Sequence, residues 1–137
     1  MKQFSLLLFV TLIMGGCALE KDYNQTTAQD YLENKKLYYI DDTTNSYYMY
    51  EFEGDQVIKN SYSDRDLKEL NDIDIYFIDY NDSNSNIELR TRDNTYKCNF
   101  HIEENKEYMG LNCSSTFDNS TIFIGGYKDL FYAHYYK

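Results

Sequence analysis

The stretch IELRTRDNTYKCNFHIEENKEYMGLNCS, residues 87–114, decides the architecture. With Asn105-Lys106 as a two-residue turn, the opposed pairs run Ile102–Met109, Phe100–Leu111 and Cys98–Cys113, all on one face. The other face carries Lys97, Asn99 and His101 against Gly110, Asn112 and Ser114. A slip of one residue would mix the dry and wet sets, so the pattern itself selects the register. Asp93-Asn94 reads as the preceding turn, setting Thr91 opposite Tyr96, Leu89 opposite Cys98 and Ile87 opposite Phe100. Residues 87–114 therefore read as a three-stranded antiparallel meander with one apolar face.

In that register Cys98 and Cys113 sit directly across from one another, which predicts a disulfide. Two free thiols or a metal pair are the competing readings. No His or further Cys stands at the spacing that would complete a zinc site.

Outward from the meander the same period of two continues. Strands are expected at 37–40 and 46–53, with Gly54-Asp55 turning the chain into 56–62 so that Phe52 and Val57 share a face. Residues 72–80, DIDIYFIDY, carry apolar side chains on both faces and read as a strand covered on both sides. Strands at 121–125 and 130–136 complete a set of about eight. Thr27 is positioned to cap a short helix over 28–36, and Asp64 stands near the start of a second helical piece over 64–70. The fold class is all-β: a single antiparallel meander forming a small barrel or curved sandwich, with a short N-terminal helix.

Composition agrees. The 137-residue chain holds 16 Tyr and 8 Phe and no Pro, which suits half-buried pleated strands. Thirteen Lys and Arg against 23 Asp and Glu leave a formal charge of −10. A nucleic-acid binder needs a basic footprint, so that class is excluded.

The first residues, MKQFSLLLFVTLIMGGC, join a short basic start at Lys2 to an apolar run from Phe4 to Met14 and then to small residues. The run is shorter than the roughly 20 residues of a membrane span and has the order of an export signal. Met14-Gly15-Gly16-Cys17 resembles the bacterial lipobox, with Met14 where that motif usually has Leu. The resemblance implies that residues 1–16 are removed, that Cys17 becomes the lipidated N-terminus, and that the protein is held at the cell envelope, on the outer membrane if the host is Gram-negative. Residues 17–27 then form a lipidated tether and 28–137 the β-domain. Export would leave Cys98 and Cys113 in an oxidising compartment, where a disulfide persists.

The helix, the strand around Lys36 and Leu37, and the hairpin at Gly54-Asp55 resemble the opening of small lipocalin-like domains. The first-strand Gly and Trp of that family are replaced here by residues of Asn34-Lys35-Lys36-Leu37-Tyr38. Lipid-anchored, disulfide-bearing lysozyme-inhibitor barrels are also similar, but their Ser-Gly-x-x-Tyr loop is missing, Gly125-Gly126-Tyr127-Lys128 being the nearest stretch.

Little in the sequence points to catalysis. His101 falls on the polar face of a strand and His134 in the Tyr-rich terminal segment, neither beside a recognisable nucleophile motif. Asp79 to Asn86 follows a calcium loop at Asp79, Asn81 and Ser83, but has Asn84 where Gly is needed and Arg90 where a bidentate Glu belongs. No cofactor or metal is expected. The surplus of tyrosines is the strongest functional signal: Tyr47, Tyr48 and Tyr50 in one strand, Tyr132 and Tyr135 in the last. Consecutive aromatics in a strand point to opposite faces, so each group is expected to expose at least one ring, and the two groups to be neighbours. The expectation is a non-enzymatic module that binds another envelope or secreted protein, as an accessory subunit or an inhibitor or immunity protein. The acidic balance favours a cationic partner. The alternative is a lipocalin-like carrier of a small apolar ligand.

Overall fold

A computed structural model describes residues 27–81, 86–103 and 107–135. The expected export signal, Cys17, most of the expected tether, Asn105-Lys106, the centre of the calcium-like loop and Tyr136 lie outside the described residues. Helix α1 (Ala28–Leu32) leads into eight strands: β1 (Lys36–Asp41), β2 (Ser46–Glu53), β3 (Gln56–Tyr62), β4 (Leu70–Tyr80), β5 (Ile87–Arg90), β6 (Thr95–Glu103), β7 (Tyr108–Ser115) and β8 (Thr121–Tyr127). Each strand pairs antiparallel with the next, and β8 returns to β1 through Tyr38–Tyr127, so the sheet closes into a barrel. A second helix, α2 (Leu130–Tyr135), follows.

The pairing of β6 with β7 is the expected one, including Phe100 opposite Leu111 and Cys98 opposite Cys113. A disulfide joins those two cysteines inside the barrel. The β2–β3 hairpin also turns at Gly54-Asp55, with Phe52 opposite Val57. Gly54 takes φ +57° with no neighbour near its missing Cβ, so it is the backbone conformation that requires glycine there.

The β5–β6 register departs from expectation by two residues: Ile87 faces Cys98 and Leu89 faces Tyr96. The turn is centred on Arg92-Asp93 instead. Thr91 N–H donates to the Asn94 carbonyl at 2.9 Å, and Thr91 Oγ1 accepts from Asn94 N–H at 3.1 Å. A shift of two keeps every side chain on its face, so the hydrophobic pattern cannot distinguish the two registers.

The core is made by inward residues of every strand, with Leu37, Phe52, Val57, Leu89, Leu111 and Ile124 almost wholly buried. Helix α1 covers one end. Thr27 caps it through a reciprocal pair with Asp30, and Asn34, at φ +58°, ends it. Asn34 N–H then donates to the Phe52 carbonyl at 2.8 Å, Leu32 is buried, and Tyr31 stacks on Phe100 at 5.7 Å. The helix is shorter than the 28–36 expected because the chain joins the sheet at Lys36.

Gly126 makes the seam possible. A Cβ there would run into the Tyr38 carbonyl, so β8 approaches β1 at a separation only glycine permits. Gly125-Gly126 is accordingly strand, with no loop at this point.

Three further expectations are corrected. The strand expected at 130–136 is not formed among the described residues: Leu130–Tyr135 is helical, with the Asp129 carboxylate accepting from Phe131 N–H at 2.7 Å. The small Ala133 packs against Ile40 and Tyr47 on the barrel exterior, and that contact overrides the strand preference of the aromatics. Residues 64–70 are not helical either. The Asp64 carboxylate accepts from both Lys68 and Glu69 N–H at 2.9 and 2.8 Å, with Leu67 at φ +55°, which builds a closed loop. Strand β4 is not covered on both sides, since Ile73, Ile75 and Phe77 remain 50, 50 and 45% exposed.

Candidate functional site

The exposed aliphatics belong to a larger feature. Strand β4 has eleven residues while β5 has four, and β5 pairs only with Phe77–Tyr80. From Leu70 to Tyr76, β4 therefore has β3 on one side and no strand on the other among the described residues.

Which backbone groups face that open side follows from the ladder. Ile78 N–H donates to the Asp55 carbonyl at 2.8 Å, toward β3. Alternation then directs the N–H and C=O of Tyr76 and Asp74 toward β3, and those of Ile75 and Ile73 toward the open side. Ile73 N–H is satisfied there by its own neighbour, with Asp72 Oδ1 accepting at 2.9 Å.

The two faces of this edge differ in chemistry. Outside, Ile73 and Ile75 lie across from Asn60 and Ile58 of β3, and Phe77 continues the stripe. The inward-pointing set is Asp72, Asp74 and Tyr76. Lys59 of β3 stands opposite Asp74, its Nζ 3.9 Å from Oδ2 and 4.6 Å from the centre of the Tyr48 ring.

Behind this edge the barrel holds a cavity of about 280 Å³ lined by Tyr39, Tyr48, Tyr50, Lys59, Tyr76 and Ile122, among others. It is at the small end of what ligand sites occupy. Tyr39 and Tyr48 stack at 6.2 Å and Tyr48 meets Tyr50 at 6.0 Å. Burial pushes the Tyr50 phenol well above its ordinary range, and the Tyr76 phenol rises through burial and then through the charge of Asp74.

The sequence-selected tyrosines divide. Tyr48 and Tyr50 point into the barrel, whereas Tyr47 points outward and is closed over in the cluster that holds Ala133. The expected exposure fails in this group, where Tyr47 is 9% and Tyr50 3% exposed and Tyr48 is half-buried. Burial, then a hydrogen bond to Asp42, raises the Tyr47 phenol. In the terminal group Tyr132 is half-buried, and Tyr135 is 71% exposed beside Phe131 with ring centres 4.6 Å apart. The two groups do meet: α2 lies over β1 and β8, and its Ala133 joins the cluster that holds Tyr47.

The β4 edge itself was missed by reading 72–80 as doubly covered. The signal was present in Asp72 and Asp74, since a strand sandwiched between two apolar layers has no place for alternate carboxylates. His101 lies on the exposed face, 3.4 Å from Glu103, and no group of three metal-ligating side chains occurs among the described residues. No protein-family model matches this chain, and neither a curated protein nor a solved structure does.

Proposed function

We propose that the protein is a lipid-anchored envelope module that binds another protein without catalysis, through the outer face of β4. The observation that carries this reading is the exposed stripe Ile73, Ile75 and Phe77 on a strand whose far edge is open. A soluble domain gains nothing by leaving three large side chains of one strand in water, and exposed apolar stripes rimmed by polar groups are the usual form of a docking surface. Asp72 and Asp74, on the other face of the same open edge, and the charge of −10 favour a cationic partner. Anchoring rests on the lipobox-like Met14-Gly15-Gly16-Cys17, and the internal disulfide is consistent with export.

The carrier reading has less support. The barrel interior is largely filled by aliphatic and aromatic side chains, and the remaining cavity carries Lys59 among its tyrosines. The test is capture of the partner from native envelopes by the wild-type chain and by the Ile73→Ser, Phe77→Ser double variant. The variant should fold with an unchanged melting transition and lose the partner. Equal capture by both chains would remove the β4 face from the account.

A further inference from the structure

Resting on that reading, we infer that the open edge of β4 takes up an extended partner segment as an added strand, and that this segment alternates basic and apolar residues. Two features of the edge lead there. Ile73 and Ile75 present their main-chain groups to the open side, and both faces of residues 70–75 are exposed, so a strand laid beside them meets no obstruction among the described residues. The side-chain bond on this edge from Ile73 N–H to Asp72 Oδ1 is a local placeholder that an incoming carbonyl replaces.

The chemistry of the added strand follows from period two. Positions opposite Ile73 and Ile75 share the apolar outer face with Ile58 and Phe77. Positions opposite Asp72 and Asp74 share the face that carries two carboxylates, and the ion pairs among the described residues include Asp74 with Lys59 but not Asp72. Basic residues placed there complete the cross-strand pairs.

The same geometry disfavours a second copy of this chain as the occupant. In every face-matched two-fold register centred between Asp72 and Asp74, an Asp lies opposite an Asp, and each chain carries −10.

The probe is the acetylated, amidated heptapeptide of alternating Lys and Val, with two controls: the same peptide with Glu for Lys, and the Lys peptide N-methylated at alternate residues. Hydrogen exchange of the purified protein is followed across residues 71–77. The Lys peptide should slow exchange there, the Glu peptide should bind about tenfold more weakly or worse, and the N-methylated peptide should not protect. The Asp72→Lys, Asp74→Lys variant should exchange the preference between the Lys and Glu peptides. Ile75→Pro, which removes an edge N–H and no ladder bond to β3, should abolish protection while the fold is retained.

No protection by the Lys peptide, or equal protection by the Glu peptide, overturns the inference, as does a solution dimer protected at β4. If the peptides fail while Ile73→Ser, Phe77→Ser still loses the native partner, strand addition is wrong and protein binding through the face stands. If both fail, the whole reading of β4 falls.

Discussion

Lys59 holds its Nζ 3.9 Å from Asp74 Oδ2 while lying over the Tyr48 ring, and so ties the open edge of β4 to the aromatic interior of the barrel. The pair is partly solvated, so its own contribution to stability is small. Its structural consequence is larger. It neutralises one of two neighbouring carboxylates and leaves Asp72 as the edge's main negative charge. Lys59→Met should therefore change stability by less than about 1 kcal/mol in chemical denaturation, and strengthen binding of the Lys-Val peptide.

The disulfide is the next point of test. Cys98 and Cys113 are buried, directly opposed in the sheet and 15 residues apart. A loop of that length gives roughly 3 kcal/mol on the chain-entropy account. The Cys98→Ser, Cys113→Ser chain should lose about that much in urea unfolding, and alkylation of the native protein without reduction should label neither cysteine.

At the seam, Gly126→Ala places a methyl group against the Tyr38 carbonyl, and backbone must move to admit it. The cost should exceed the roughly 1 kcal/mol expected for Gly54→Ala, where only the positive φ opposes the change. Denaturant midpoints of the two variants give the comparison directly.

Alkaline pH gives a fourth test. Burial raises the Tyr50 and Tyr80 phenols strongly and pushes Tyr108 up to about 12. The unfolded chain ionises these groups near 10, so between that value and the folded values the unfolded state binds fewer protons. Their contribution is complete below pH 10 and is lost as pH rises beyond it. Thermal unfolding should move to lower temperature above pH 10, and phenolate absorbance should rise cooperatively with unfolding.

The proposed lipid anchor is tested at Cys17. Cys17→Ser should abolish acyl labelling and release the protein from washed membranes. Retention of the variant through detergent-free washing would contradict the lipobox reading.

What the sequence disclosed, and what it hid, follows the physics of strands. Period two and short turns were enough for the β6–β7 register and the Phe52–Val57 hairpin, because a one-residue error there exposes a whole apolar face. The two-residue error at Arg92-Asp93 carries no such penalty and stayed hidden. The terminal LFYAHY segment has strand-forming aromatics, and the Asp129 carboxylate at its start together with the packing of Ala133 near Ile40 and Tyr47 favours the helix instead. The burial of Tyr47 stayed hidden for the same reason, since the segment that joins its cluster is a helix and not the expected strand. The open edge depends on the unequal lengths of β4 and β5, a relation between two strands that neither segment displays alone.

The central claim is that β4 presents a protein-binding face, and photocrosslinking in intact cells tests it most directly. A benzoyl-phenylalanine replaces Phe77 on that face, or Tyr135 on α2, in otherwise wild-type chains. The account predicts one discrete protein adduct from position 77, lost when Ile73→Ser is added, and no corresponding adduct from position 135. An adduct from position 135 with none from 77 would contradict it and move the binding surface to the aromatic face of α2.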